Sequence, residues 1–400
     1  MPSSFHPPVR TLMGPGPSDV NPRILEALSR PTIGHLDPAF IGMMDEVKSL
    51  LQYAFRTQNE LTIPVSAPGS AGMETVFVNL LEPGDTVVVC INGVFGGRMK
   101  ANIERCGAIP VVVEDPWGSP VDIDKVEQAL QETKGVKALA FVHAETSTGA
   151  RSDAEALCGL AQKYGCLSIV DAVTSLGGIE LNVDEWSIDA IYSGTQKCLS
   201  CVPGLSPVSF SEKAVAVIKS RKSKVQSWFL DTSLVMGYWG SAARRSYHHT
   251  APVNSLYALH EALLILHEEG LDAAWQRHAL NHQAFAAGIK SLGLGFVVAE
   301  PYRLPQLNAV SFPESVDDGK VRARLLTDYD LEIGAGLGDL AGKVWRIGLM
   351  GFASNRKNVL LCLSALANVM SELGHSCNGA TAVQAAEQAY SLIPQNRAAG

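Results

Sequence analysis

Apolar and polar residues alternate along this chain in two rhythms. Short, nearly continuous apolar runs recur from about residue 60 to 255, and amphipathic stretches with helical spacing separate them. The runs predict strands at 86–91, 109–113, 138–142, 167–170, 190–193 and 207–210. The stretches 75–81, 121–133 and 152–164 carry the three-to-four spacing of helices. Strand–helix alternation of this kind predicts a mostly parallel sheet with helices on both faces. Before it, residues 21–51 are helical in pattern with a break at 31–38, and residues 1–20, rich in proline and glycine, predict an extended arm. After it, 256–267 and 273–292 predict two long helices, the first linking two domains. The rest alternates strand and helix signals, and 380–392 predicts a last helix. The resulting division is an arm at 1–20, a large domain at 21–255, a smaller α/β domain at 256–375 and a tail at 376–400.

Composition narrows the function classes. Four hundred residues, 46% hydrophobic and 18% charged, suffice for two cores. A net charge of −8 argues against nucleic acid as a partner, so an anionic substrate needs a local cationic site. Eight cysteines without framework spacing read as reduced thiols in a cytoplasmic protein. Residues 1–10 lack the apolar stretch of a signal peptide, and the terminal Ala398-Ala399-Gly400 is not a peroxisomal signal. No apolar run approaches the ~18 residues of a membrane span.

The chemistry gathers around one lysine. The buried run 167–170 ends on Asp171, and the polar loop Ser193-Gly194-Thr195-Gln196-Lys197 follows soon after. Residues at the carboxyl ends of parallel strands face a ligand crevice. A lysine can form a Schiff base with an aldehyde, and a carboxylate can keep a pyridine nitrogen protonated. A pyridoxal-phosphate enzyme needs both. Pro68-Gly69-Ser70-Ala71-Gly72 lies between an apolar run and a helical one, so its backbone N–H groups form a candidate phosphate cradle. Arg346, between apolar neighbours in Val344-Trp345-Arg346-Ile347-Gly348, is a candidate carboxylate fork.

Other features are read as structural. Cys198-Leu199-Ser200-Cys201 has CxxC spacing but no second ligand pair. His248 and His249 are adjacent and so diverge in an extended chain; no metal site is expected. His143 reads as a packing histidine. The glycines of 334–338 lack the context of a dinucleotide fingerprint.

Six motifs taken together resemble the class V, fold-type I aminotransferases of the alanine–glyoxylate/serine–pyruvate group. They are Gly14-Pro15-Gly16-Pro17, Glu145-Thr146-Ser147-Thr148-Gly149, Asp171-Ala172-Val173, the Lys197 loop, Tyr247-His248-His249-Thr250 and the Arg346 segment. The resemblance runs from about residue 12 to 373. It implies a seven-stranded, mostly parallel sheet with a smaller C-terminal α/β domain, pyridoxal 5′-phosphate as cofactor and a homodimer with shared active sites. It implies that Lys197 holds the cofactor and carries the proton between substrate Cα and cofactor C4′, and that Asp171 pairs with the ring nitrogen. Phe95 and Val173 are similar to the residues flanking the ring, Thr146 and Ser147 to those near O3′. Gly69, Ser70 and Gln196 resemble phosphate ligands, joined by Tyr247 and Thr250 from the other subunit. Arg346 would take the substrate carboxylate with help from the backbone of Gly16.

The activity so implied moves an amino group from alanine or serine to glyoxylate or pyruvate. The ureidoglycine–glyoxylate group resembles Gly-Gln-Phe-Asp-Pro near the N-terminus and places asparagine before His-His-Thr. This chain has Gly34-His35-Leu36-Asp37-Pro38 and Tyr247 instead. Pyridoxamine–pyruvate and aminoethylphosphonate enzymes share the fold. Cysteine desulfuration would bring histidine before the lysine, where Gln196 stands, and a mobile cysteine, whereas Cys362 lies in a helical pattern. A non-catalytic subunit would have no need of Asp171, Lys197 and Arg346 together.

Overall fold

The computed structural model describes residues 2–240 and 245–392. Part of the polar loop before Tyr247 and the C-terminal tripeptide lie outside the described residues.

Seven strands form the main sheet: β1 (Leu61–Val65), β2 (Thr86–Ile91), β3 (Ile109–Glu114), β4 (Val136–Val142), β5 (Leu167–Asp171), β6 (Ala190–Tyr192) and β7 (Ser206–Phe210). Their spatial order is β1-β7-β6-β5-β4-β2-β3. All neighbours pair in parallel except β7, which runs antiparallel to both β1 and β6. The predicted strands all form, with ends shifted by at most two residues. β1 was not among them: Pro64 interrupts its pattern, and an edge strand tolerates a residue that cannot donate to the ladder.

Helices start where capping chemistry allows. Asn21 and Asp37 each accept a backbone N–H at the start of helices Pro22–Leu28 and Pro38–Phe55, and both helices open on proline. The break at 31–38 is therefore a stop and a new start. Helices Ile123–Glu132 and Ala154–Lys163 begin behind Asp122 and Asp153 in the same way.

Two large cores result. The first fills both faces of the main sheet and includes Leu256–Leu266 side chains from helix Val253–Glu269. The second lies between helices Leu271–Ser291, Arg356–Glu372 and Gly379–Leu392 and a four-stranded sheet of Gly295–Phe296, Leu307–Ser311, Val344–Gly348 and Gly334–Ala335. The bridging helix is not the first of the pair. Leu271–Ser291 gives Ala274 to the first core and Ala284, Phe285 and Ile289 to the second.

The N-terminal arm is stitched to this second sheet's neighbourhood. Thr11–Leu12 pairs in parallel with Leu331–Glu332, Met13 is fully buried in the second core, and Gly348 N–H donates to Met13 O at 2.7 Å. A Cβ on Gly348 would stand 2.1 Å from Gly14 O, so only glycine lets the arm lie this close.

Candidate active site

Asp171 ends β5 beside the Lys197 loop, as a strand-end carboxylate at the sheet's crevice should. The loop is held at several points. Ser193 Oγ donates to Ala172 O at 2.9 Å, Thr195 Oγ1 to Val202 O at 2.7 Å, and Ser18 Oγ to Lys197 O at 2.7 Å. The Lys197 side chain is 7% exposed, and its Nζ donates to Pro15 O in the arm. Gly16, at φ +105°, packs against it: a Cβ there would meet Lys197 Cδ at 2.8 Å. Gly16, which the resemblance sets near the substrate carboxylate, lies here against the lysine side chain.

Burial and the neighbouring Arg346 lower the Lys197 ammonium to about 8. Burial raises the Asp171 carboxyl to about 7, against the opposing pull of bonds from Val173 N–H and Tyr192 Oη–H, each 2.8 Å. Burial also lowers Arg346, to about 10, with Glu145 acting against it. Arg346 donates to two carbonyl oxygens, Ala335 O at 2.7 Å and Thr146 O at 3.4 Å. Among the described residues it makes no ion pair. A buried guanidinium whose partners among the described residues are neutral keeps the chemistry to take a carboxylate.

Thr146 and Ser147 sit in the turn joining two short strands, Ala144–Glu145 and Ala150–Arg151. Thr146 Oγ1 pairs with Thr174 Oγ1. Ser147 Oγ donates to Glu145 at 2.6 Å and accepts Val94 N–H at 3.0 Å, while Phe95 N–H donates to Glu145 at 3.1 Å. Glu145 is fully buried, its carboxyl raised by burial, and it ties the Phe95 turn to the Thr146 turn. Glu145 stands first in the Glu145-Thr146-Ser147-Thr148-Gly149 motif, and the signal that marks it is a lone acid just beyond the apolar run that ends at Val142. Phe95 is half-buried, with the Arg98 guanidinium 4.7 Å from its ring centre. Val173, also half-buried, lies beside Gly69, whose Cβ would stand 3.4 Å from Val173 Cγ2.

Gly69 opens helix Gly69–Leu80 without any side-chain cap, and Ser70 is exposed beside it. The Gln196 amide has a buried oxygen without a partner among the described residues. Tyr247 and Thr250 stand apart from this cluster in hydrogen bonding. They are exposed and reach each other at 3.3 Å.

The remaining candidates sort as structural. Burial lifts both the Cys198 and Cys201 thiols to about 12, so neither is a ready nucleophile. His248 stacks on Trp228 at 4.5 Å and bonds His249, and no group of metal ligands occurs among the described residues. His143 packs edge-on to Trp186 in a groove of about 910 Å³ lined by Asp115 and Arg151, and its backbone N–H donates to Asp171 O at 3.1 Å.

Known proteins extend this picture. The aminotransferase class-V family model matches residues 25–342. The chain is 40% identical over 372 residues to alanine–glyoxylate aminotransferase of Oryctolagus cuniculus, covering 92% of this chain and 94% of the relative. It is 37% identical over 401 residues to (S)-ureidoglycine–glyoxylate transaminase of Bacillus subtilis (strain 168), covering 96% of each. The crystal structure of an alanine–glyoxylate aminotransferase from Nostoc sp. superposes with a TM-score of 0.90 at 44% identity, over 92% of this chain and 97% of that one.

The family match brings pyridoxal phosphate as cofactor. The local chemistry fits it: a buried, deprotonatable lysine, a carboxylate at a strand end and an uncapped helix start for a phosphate. The lysine, the unpaired arginine and the match over most of the chain agree, and the protein belongs to the class V aminotransferases.

Proposed function

We propose that this aminotransferase moves the amino group of alanine or serine to glyoxylate, or to pyruvate, in two alternating half-reactions within a homodimer. The observation that carries the reading is Arg346, a buried guanidinium with only carbonyl partners among the described residues. It would fork onto the substrate carboxylate, and backbone groups at Gly16 would face the same end.

Bound pyridoxal phosphate supplies the electron sink that lets an amino acid lose its Cα proton. Lys197 would move that proton between Cα and the cofactor's C4′. Asp171 would pair with the ring nitrogen, Phe95 and Val173 would flank the ring, and Thr146 would serve O3′. Gly69, Ser70 and Gln196 would hold the phosphate. Tyr247 and Thr250 would complete that cradle in a second copy. Their exposure, together with that of Trp228 and Phe229 beside them, supports a docked partner over this patch. The eight unpaired cysteines support a reducing compartment, the cytoplasm.

Alanine or serine is favoured over ureidoglycine by three positions that differ from the ureidoglycine group, His35, Leu36 and Tyr247. Two of them, His35 and Tyr247, lie together, ring centres 5.2 Å apart, in one local feature. The comparable likeness to the Bacillus relative keeps ureidoglycine as the second reading.

Half-reactions test this. Holoenzyme mixed with alanine or serine should lose the visible band of its cofactor, and glyoxylate should restore it. A band that persists with both but falls with ureidoglycine or pyridoxamine would overturn the donor assignment. In Arg346→Ala, kcat/KM for the amino acid should fall by roughly 2–4 kcal/mol, mostly through KM. An unchanged value would move the carboxylate site elsewhere.

A further inference from the structure

Tyr192 drew no attention in the sequence, yet it makes the one side-chain hydrogen bond that the Asp171 carboxylate receives among the described residues. Asp171 and Tyr192 are register partners at the ends of the parallel strands β5 and β6, so their side chains stand on the same face of the sheet. The phenol is fully buried, and its hydroxyl donates to Asp171 Oδ2 at 2.8 Å while Val173 N–H occupies Oδ1 at the same distance. Each oxygen keeps a free lone pair, and the two donors fix the plane in which those lone pairs point. The other side of Tyr192 meets the helix that begins at Gly69. A Cβ on Gly72 would stand 3.4 Å from Tyr192 Cβ and 1.8 Å from Ser206 Oγ, so the helix backbone lies directly on these two strands. One side chain therefore connects the carboxylate to the floor of the proposed phosphate cradle.

We infer that Tyr192 is a positioning residue that orients Asp171 and holds the proton of that pair on the cofactor's ring nitrogen. The inference rests on the proposed pairing of Asp171 with that nitrogen. A carboxylate and a pyridine share one proton, and its location follows whichever base is better stabilised without it. In a dry site the carboxylate is the costlier ion, so with no donor it takes the proton back. A buried hydroxyl aimed at Oδ2 stabilises the carboxylate and leaves the proton on the ring. The phenol itself stays un-ionised there, since burial and the adjacent Asp171 raise it well above its ordinary range.

The test uses holoenzyme loaded with cofactor labelled with ¹⁵N in the ring, read by NMR, and equilibrium dialysis for cofactor affinity. Tyr192→Phe should move the ring nitrogen signal toward neutral pyridine and weaken cofactor binding ~10-fold, about the worth of one hydrogen bond to a charged group. It should lower kcat with little change in KM for alanine. Replacing Tyr192 with 3-fluorotyrosine, a stronger donor of nearly the same size, should keep the signal at the pyridinium position. That result separates loss of the donor from loss of packing. In an Asp171→Asn background, Tyr192→Phe should change affinity by less than ~2-fold, because the two act as one unit. A ring nitrogen signal unmoved by Tyr192→Phe, while Asp171→Asn moves it, would overturn the role of Tyr192 and leave that of Asp171 standing. A signal unmoved by either variant would overturn both.

Discussion

Lys197 holds its amine where water scarcely reaches, close to another cation, and both circumstances favour the neutral form. With its ammonium lowered to about 8 and the Asp171 carboxyl raised to about 7, the site changes charge within a narrow pH range. The signs run the same way for cofactor capture. Above about 8 the lysine is a free nucleophile, and above about 7 the carboxylate is ionised for the ring nitrogen. Covalent loading of apoenzyme should therefore accelerate as pH rises from 6 to 9, and Lys197→Ala should abolish it throughout. Stopped-flow absorbance after mixing with pyridoxal phosphate checks this, and a flat profile would remove Lys197 from the role. At this scale the sequence was informative where a residue type is rare in its setting. A lysine in a glycine-bearing loop after a strand and an arginine between apolar neighbours both stand out. Tyr192 and Glu145 did not, because their importance lies in register and burial. Which residue of β6 stands opposite Asp171 is a property of strand pairing, and no local pattern encodes it.

Among the elements, the strand Val344–Gly348 does two jobs. It carries Arg346 in its middle and receives the arm at its end, where Gly348 N–H meets Met13 O. Gly348→Ala would drive a Cβ into the Gly14 carbonyl. The arm must then shift, at a cost of about 1–3 kcal/mol for overpacking in a closed space. We expect a lower thermal midpoint and faster proteolytic cleavage before residue 18. Unchanged values in both would show that the arm has slack the distances do not suggest. Element by element, the main sheet was legible chiefly because inner strands such as Thr86–Ile91 and Leu167–Asp171 are largely buried and read as nearly unbroken apolar runs. The smaller sheet was legible only in outline, as an alternation of strand and helix signals. Two of its four strands are two residues long, too short for any period to register, and they exist because Leu307–Ser311 and Val344–Gly348 offer them edges. The helices start at Pro22 and Pro38, within a residue of the expected start at 21 and the end of the expected break at 38; an Asn or Asp cap precedes each proline, which cannot sit deeper in a helix.

For the whole molecule, the proposed dimer makes a site out of Lys197 from one copy and Tyr247 from the other. Subunits carrying Lys197→Ala and subunits carrying Tyr247→Ala, mixed under exchange conditions, should then regain about a quarter of native activity, since random pairing leaves one intact site in each hybrid. Hybrids shown to form but to remain inactive would place Tyr247 outside the partner's site. The arm has a consequence of another kind, in time. Pro15 and Ser18, which touch Lys197, are made long before the strands that seat the arm, Leu331–Glu332 and Val344–Gly348. The main sheet can close around Asp171 and Lys197 well before that. A nascent chain thus carries its lysine for much of synthesis without the arm as a lid, and fastens that segment over its reactive amine only once strands Leu331–Glu332 and Val344–Gly348 have emerged.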